Sequence, residues 1–143
     1  MLTVEGSSPS PSTFIWRTMN DLLEFGKPLG NPPYCYRWVI NFGLFALRLH
    51  HWISNDNHIH THPYWMFIIC LSGSYIDIQE EQEDHVEAFT WRFRKPSHKH
   101  KVITEGAWTF LITGPKLHKW YLFKNGKRYH PNKYFKMENK NDN

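Results

Sequence analysis

Three histidines at alternate positions, His58, His60 and His62, have the spacing in this sequence that is most suggestive of chemistry. Side chains of an extended strand repeat on one face every second residue, so all three can point the same way. Neutral imidazole is the commonest protein ligand for transition metals, and two or three on one face need only one more donor to hold an ion. The apolar run Met66–Leu71 that follows predicts a histidine-bearing strand that continues into the core.

The same histidines have a simpler interpretation as solvated residues. An exposed strand beside Asn55, Asp56 and Asn57 can carry imidazoles without binding anything. A purification tag does not explain them, because tags are contiguous and terminal whereas this cluster is internal and alternating. We favour metal ligation and keep the solvated strand as the alternative.

The composition favours a β-rich protein of one domain. The chain has 143 residues, and aromatic residues make up 17% of them, including seven Trp. Aromatic and β-branched residues prefer strands, and this length fits one domain. The net charge of +4 is spread along the chain. It gives only faint support to a small anionic ligand or to RNA, and no recognised nucleic-acid motif is present, so a nucleic-acid partner is not expected.

The cysteines and the hydropathy indicate a compartment. Cys35 and Cys70 lie in hydrophobic strand-like runs and lack CxxC spacing. They are expected to be reduced core residues of a cytoplasmic protein. The sequence shows no secretory signal pattern and no run of about eighteen apolar residues. We therefore expect a soluble protein with no membrane partner.

The chain divides into three parts. Residues 1–12 are rich in Ser and Pro and predict a disordered lead, residues 13–130 predict a single domain, and residues 131–143 predict a mobile basic tail. Apolar spacing over residues 14–25 predicts one short amphipathic helix at the start of the domain. About eight short strands follow, which predict an antiparallel sandwich or a closed barrel.

The predicted strands are bounded by turn residues. They cover residues 34–42, 44–53, 58–71, 75–79, 86–95, 100–104, 107–113 and 117–123. The Gly-Pro-Lys step at 114–116 predicts a hairpin between the last two strands. The strand 86–95 alternates cleanly, with Trp91 on one side and Arg92 and Arg94 on the other. Such a strand separates two environments.

Two distant motifs resemble those of the cupin superfamily. The first cupin motif has His-x-His with a downstream glycine, matched here by His60, His62 and Gly73. The second supplies a His after a Pro-containing turn, matched by Pro96 and His100. A narrower resemblance, to small uncharacterised cupin-like proteins of bacteria and phages, covers roughly residues 36–123. Its motifs are His60–Tyr64, Gly73–Tyr75, Pro96–His100, Trp108–Pro115 and Trp120–Phe123.

The resemblance implies an all-β, cupin-like double-stranded β-helix, that is, a jelly-roll barrel, with the short N-terminal helix added. It also implies a divalent metal ion held by His60, His62 and His100. Met66 stands where the general cupin pattern has a Glu ligand, and a thioether is a poor ligand for hard divalent ions, so the four-ligand cupin site is excluded. Three imidazoles with open positions suit iron or zinc best.

Further side chains are expected around this ion. The candidates for an additional ligand, or for a residue that holds the ligands in place, are His58 and His98. The candidate anion anchors, whose alternative is a solvated position on a strand, are Arg48, Arg92 and Arg94. The predicted pocket aromatics are Tyr64, Tyr75, Trp91 and Trp108. No motif recruits the remaining histidines, which are His50, His51, His85, His118 and His130.

Two functions are compatible with these features. The first is a metal-dependent enzyme acting on a small molecule, of the oxygenase, isomerase or hydrolase kind. The second is a non-catalytic accessory protein of phage type that uses the same barrel pocket for a small ligand, or its surface for a partner. Cupin-like domains often pair through their sheets, so a homodimer is compatible with either function.

Overall fold

The computed structural model describes residues 22–141, which form ten β-strands and one α-helix. The strands are β1 (Leu23–Leu29), β2 (Cys35–Asn41), β3 (Ala46–Trp52), β4 (Ile59–His60), β5 (Met66–Ile78), β6 (Glu83–Glu87), β7 (Trp91–Arg94), β8 (Lys101–Thr113), β9 (Leu122–Lys124) and β10 (Lys127–Tyr129). The helix α1 is Pro131–Asn141. Every pairing between these strands is antiparallel, as the aromatic and β-branched composition predicted.

The strands form two sheets that face each other. The larger sheet has the order β1-β2-β3-β8-β5-β6, and β7 also pairs with β5. The smaller sheet has the order β10-β9-β4. An isolated bridge between His60 and His100 connects β4 with the segment that leads into β8. The alternation of side chains along β3, β5 and β8 therefore determines what reaches the space between the sheets.

The two long central strands change which residues face inward. In β5 the buried positions are Met66, Ile68 and Cys70, and beyond an irregular stretch they become Tyr75 and Asp77. An irregularity of this kind shifts the alternation by one residue, so the odd-numbered side chains turn inward. The shift brings a carboxylate into the barrel in a strand that is otherwise apolar on this face.

A close approach of two glycines makes this shift possible. Gly73 has φ of 71°, and a Cβ added there would lie 2.1 Å from the carbonyl oxygen of Gly106 on β8. Glycine adopts positive φ without cost and leaves room for the neighbouring backbone. Gly73 is therefore required for both its conformation and its lack of a side chain.

The beginning of the described region differs from the sequence prediction. Most of the helix predicted over residues 14–25, and all of the disordered lead predicted over residues 1–12, lie outside the described residues. At its described end Leu22 is helical, but Leu23 to Phe25 belong to strand β1 instead. Glu24 accepts hydrogen bonds from Arg37 of β2 at 2.6 and 2.9 Å, and this cross-strand pair favours the strand over a helix.

The predicted strand 86–95 is two strands. β6 and β7 both pair with β5, and the turn between them places Phe89 at positive φ with 86% of its surface exposed. Arg92 and Arg94 lie opposite Ile68 and Met66, so they share the inner face of the sheet. The predicted alternation is present, but the arginines face inward and the aromatic residues face outward.

The hairpin predicted at 114–116 is absent from the described structure. After Gly114 the chain leaves the larger sheet, and β9 pairs with β4 and β10 rather than with β8. Gly114 packs directly against the Trp65 ring, which a Cβ would meet at 2.1 Å, and its N–H donates to the Trp65 carbonyl at 3.0 Å. The turn Asn125-Gly126 has positive φ at both residues and joins β9 to β10.

Helix α1 was not predicted. Residues 131–143 were expected to form a mobile basic tail, and the structure has a helix over Pro131–Asn141 within it. The His130 ring accepts the N–H of Asn132 at 3.3 Å at the helix start, and Tyr134 is buried against the barrel. Only about one apolar residue per turn of α1 is buried or partly buried, so the helical hydrophobic pattern in the sequence is weak.

No helix within residues 22–141 is long and apolar enough to cross a membrane.

Gly73→Ala is expected to destabilise the protein more than the same replacement at a glycine that has a similar φ but free space around it. Gly126 is the matched control, because its φ is 75° and an added Cβ would meet nothing within 4 Å. Gly126→Ala should lower the free energy of unfolding by about 1 kcal/mol, from backbone strain alone. Gly73→Ala should lower it by roughly 2 kcal/mol or more, because the backbone must also move apart. Urea denaturation measures both, and equal losses would contradict the close approach.

Candidate metal centre

Three imidazoles from two distant segments meet inside the barrel. The nitrogen atoms that His60, His62 and His100 can offer lie within 4.8 Å of one another. The Nε2 atoms of His62 and His100 are 3.0 Å apart. Backbone hydrogen bonds in both directions between His60 and His100, at 2.9 and 3.1 Å, hold the two segments together. Strand β4 ends at His60, but the alternation continues to His62, so both rings point to the same place.

The His100 ring is oriented by a buried carboxylate. Its Nδ1 lies 3.1 Å from Oδ1 of Asp77, and Asp77 is only 1% exposed. The same carboxylate binds His98 Nε2 at 3.0 Å and accepts a hydrogen bond from Arg94 Nε at 3.1 Å. Because Nδ1–H of His100 donates to Asp77, its Nε2 keeps the lone pair that a metal needs.

The His60 ring is oriented in a similar way from the other side. Its Nδ1 lies 2.8 Å from the carbonyl oxygen of His58 and 3.1 Å from Oδ2 of Asp56. The carbonyl is the nearer acceptor, and the Asp56 oxygen adds its negative charge beside the same nitrogen. That oxygen has no hydrogen-bond partner within residues 22–141, although Asp56 is 3% exposed. The Nε2 atom of His60 is therefore turned toward the other two rings.

The protonation of the three rings suits metal binding. Burial, followed by the neighbouring histidines, holds the pKa of His62 well below its ordinary value. Burial also lowers the pKa of His100, against the opposing effect of Asp77. For His60, burial acts to lower the pKa, but Asp56 and the His58 carbonyl outweigh it and the pKa is raised. Two rings are thus neutral near pH 7, and the third lies where negative charge attracts a cation.

This set of donors fits a divalent ion of the iron or zinc type. Three imidazole nitrogens supply the ligands, and two buried carboxylates stand behind two of them, as is usual for histidine ligands in metal sites. The Asp56 oxygen, 3.1 Å from Nδ1 of His60, is a buried negative charge that a bound cation would offset. A second group, Asp77 with His98 and His100, also has its donor atoms within 4.8 Å, but Arg94 already occupies that carboxylate.

A cavity of about 400 Å³ opens beside the three histidines. The predicted pocket residues Tyr64 and Tyr75 line it, and so does Arg48. Met66, the residue in the place of the cupin glutamate, lines it too and is 2% exposed. The cavity is large enough for a small molecule.

Two predicted pocket aromatics lie outside the barrel, so that prediction is wrong for them. Trp91 is 61% exposed and stacks on Phe67 on the outer face of the sheet. Trp108 stacks on His51 with ring centroids 4.1 Å apart, also on the outer face. Along their strands, both residues alternate with the residues that face the barrel interior. The sequence alternation alone did not establish which of the two sets faces inward.

Two predicted anion anchors are occupied by protein carboxylates. Arg92 binds Asp84 through two nitrogens at 2.7 and 3.0 Å. Arg94 binds both Asp77 and Asp84. Neither arginine lines the cavity, so the prediction is corrected for both, whereas Arg48 remains in the cavity wall. Both arginines are absent from the cavity wall because β7 lies at the sheet edge, where the buried Asp77 and the partly exposed Asp84 bind their guanidinium groups.

The two accessory histidines have different positions. His58 lies at the cavity wall, and its backbone carbonyl accepts a hydrogen bond from Nδ1 of His60. Its ring nitrogen Nδ1 lies 2.9 Å from the hydroxyl of Tyr134. His98 lies behind Asp77, on the side away from the cavity. Neither ring belongs to the group formed by His60, His62 and His100.

Sequence reasoning missed three residues of this site. Asp56 has the same parity as the alternating histidines, and Asp77 follows Tyr75 at the same spacing. These alternations were the signals from which the sequence could have indicated that Asp56 and Asp77 face the site. His50, which was grouped with the histidines that no motif recruits, lines the cavity, and its Nε2 is buried without a partner in the described part of the chain.

Asp77→Asn is expected to lower the free energy of unfolding by about 3 kcal/mol at pH 7, because it removes the buried charge that compensates Arg94 and that accepts bonds from two histidine rings. Asp84→Asn is the control, because the side chain of Asp84 is 26% exposed. It should lower the free energy of unfolding by less, since water screens the ion pairs of Asp84. Burial would raise the pKa of Asp77, but bonds from His100 and His98 outweigh it and hold the pKa far below the usual range.

The same contacts make the difference between Asp77→Asn and the unchanged protein depend on pH. A carboxyl whose pKa is depressed by folding stabilises the protein above its unfolded pKa of about 3.9, and this stabilisation is lost as the pH falls further. Urea unfolding at pH 7 and below pH 4 should therefore show a gap that narrows in acid. A gap of the same size at both pH values would contradict the role given to Asp77.

Comparison with known proteins adds information on the fold. No family model matches the sequence, and no curated protein matches it either. Among solved structures, AerE from Microcystis aeruginosa is 16% identical with a TM-score of 0.53, over 66% of this chain and 47% of AerE. A protein of unknown function from Rhizobium leguminosarum is 15% identical with a TM-score of 0.52, over 59% of this chain and 84% of its own. A transcriptional regulator of the HTH_3 family from Vibrio cholerae is 10% identical with a TM-score of 0.51, over 68% of this chain and 58% of its own.

These similarities concern architecture. The matched region spans about half of AerE, 47% of its length. At such low identity a likeness shows the fold alone, because one architecture carries many activities. The antiparallel strands in two sheets and these likenesses in architecture agree with one another. The predicted all-β, cupin-like jelly-roll barrel is therefore confirmed for this chain.

Proposed function

We propose that His60, His62 and His100 hold one divalent metal ion, iron or zinc, and that the protein is a metal-dependent enzyme acting on a small molecule in the adjoining cavity. One observation carries the proposal. The Nδ1 atoms of His60 and His100 are both turned onto oxygen acceptors, so that both Nε2 atoms are directed to one point in the barrel.

The surroundings of the site favour chemistry on a small molecule. An ion bound there would act as a Lewis acid that polarises an oxygen atom of the ligand or of water. The aromatic and aliphatic walls exclude bulk water, which strengthens every electrostatic interaction in the cavity. The three candidate ligands are neutral and Met66 adds no charge, so the site would retain most of the positive charge of the ion.

The alternative is a non-catalytic protein that binds a small ligand in the same cavity. The observation in its favour concerns the contacts of the carboxylates that line the described cavity wall. Within the described residues, the acidic side chains that line the cavity are Asp56 and Asp77, and both face a histidine ring rather than a free ligand position. No carboxylate in the described cavity wall is thus free to move a proton, and an enzyme would depend on the ion and the imidazoles for this.

The protein, purified without a metal-affinity tag and loaded with zinc or ferrous iron, is expected to retain about one ion per chain after dialysis. The double variant His60→Ala/His62→Ala should lose the ion, because it removes two of three ligands. The matched control is His85→Ala/His118→Ala, whose histidines are exposed. Elemental analysis gives the stoichiometry, and circular dichroism checks that each variant is folded.

The result that would contradict the metal site is clear. Either the unchanged protein retains no ion, or the double variant His60→Ala/His62→Ala retains as much as the control does. An ion retained together with a bound small molecule that is not converted over repeated incubations would favour the non-catalytic alternative.

A further inference from the structure

A buried positive charge in the cavity wall has no acidic partner. Arg48 is 5% exposed, lines the cavity, and forms no salt bridge with any residue of the range 22–141. Arg37 lines the same cavity but is held by Glu24 through two bonds. Removing a cation from water is costly unless an anion compensates for it. Arg48 therefore has the one cavity-lining guanidinium in the described chain that lacks a counter-charge.

The contacts of Arg48 fix its orientation and leave its outer edge free. Its Nε donates to Oγ1 of Thr113 at 3.0 Å, and its guanidinium carbon lies 4.6 Å from the centre of the Tyr64 ring. Within the described residues its two terminal nitrogens have no hydrogen-bond acceptor. Burial lowers the pKa of Arg48, but a guanidinium stays protonated near neutrality. A rigid, charged pair of donors is thus presented to the cavity.

The neighbouring residue on the same face of β3 is also unsatisfied. His50 follows Arg48 by two positions, and its buried Nε2 has no partner in the described chain. Burial, followed by the charges of Arg37 and Arg48, lowers the pKa of His50 to about 3. The ring is therefore neutral and adds no positive charge. This wall of the cavity has one unpaired charge and an unsatisfied polar atom, which is unusual for a protein core.

The remaining walls are mainly apolar. They include Trp52, Met66, Ile68, Leu111 and Leu122. A ligand that fits both features has one negative charge and an apolar body. The planar fork of an arginine matches the planar geometry of a carboxylate, and one unpaired charge compensates a monoanion better than a dianion such as phosphate.

We propose that the cavity binds a small monocarboxylic acid with an apolar body, and that Arg48 holds its carboxylate through the two terminal nitrogens. The inference rests on the proposed function for the ion that lies in the same cavity. The anion site itself is carried by Arg48 and does not require that ion. The ligand would thus lie between a guanidinium on β3 and the three histidines.

The test uses the full chain, with and without zinc, and pairs of acids and their neutral amides. The probes are benzoate with benzamide, phenylacetate with phenylacetamide, and hexanoate with hexanamide, with inorganic phosphate as the dianion. Isothermal titration calorimetry measures each affinity. At least one acid is expected to bind about tenfold more tightly than its amide in the zinc-free protein, because a buried charged hydrogen bond is lost in the amide.

Variants assign this preference to one residue. Arg48→Gln should reduce the preference for the acid to less than about threefold, and Arg48→Lys, which keeps the charge but not the fork, should retain part of it. Arg92→Gln is the matched control, since Arg92 binds Asp84 outside the cavity, and it should leave the preference unchanged. The acid and amide comparison in the unchanged protein remains decisive even if Arg48→Gln fails to fold.

Several outcomes would overturn the inference. They are acids that bind no better than their amides, phosphate that binds more tightly than every acid without zinc, and a preference that survives in Arg48→Gln. A preference that appears only with zinc and is unaffected by Arg48→Gln would support the metal site while rejecting the role of Arg48. A preference that depends on Arg48 in a protein that retains no ion would support this inference and reject the proposed function.

Discussion

The burial of the Asp77 carboxylate is the constraint on which this site depends. A carboxylate that is 1% exposed remains charged only if donors surround it, and Arg94, His98 and His100 provide them. These bonds connect β5 with β7 and with the segment that leads into β8. They also fix the tautomer of His100. Asp77 points inward only because β5 shifts its alternation near Gly73, so a backbone contact between two strands determines the orientation of a candidate metal ligand.

The charges of the cavity are arranged in two opposite groups. Behind the imidazoles stand the buried carboxylates Asp56 and Asp77, which favour a cation at the three rings. On β3 stands the unpaired guanidinium of Arg48, which favours an anion. Apolar and aromatic walls enclose the space between them, where electrostatic interactions are stronger than in water. A metal ion and a small carboxylate would each satisfy a buried charge that the described protein residues leave open.

Strand alternation and turn residues were sufficient to predict an antiparallel sandwich or a closed barrel, and the resemblance to cupin motifs implied that His60, His62 and His100 converge. It was not sufficient for Asp77, because the residue faces inward only after an irregularity whose position depends on the contact between Gly73 and a distant strand. Local patterns also do not specify which distant strand is the partner, so the last predicted hairpin was wrong. The alternation of 86–95 was predictable, but the direction in which its arginines point depends on their ion pairs with Asp77 and Asp84.

The central claim is that three imidazoles from two remote segments bind one ion. X-ray absorption spectroscopy of the zinc-loaded protein tests it most directly, because the scattering reports the number and type of ligand atoms. The account predicts three imidazole nitrogens at about 2.0–2.1 Å, completed by oxygen or nitrogen from solvent or ligand. A sulfur neighbour at about 2.3 Å, or fewer than three imidazoles around the zinc, would contradict it.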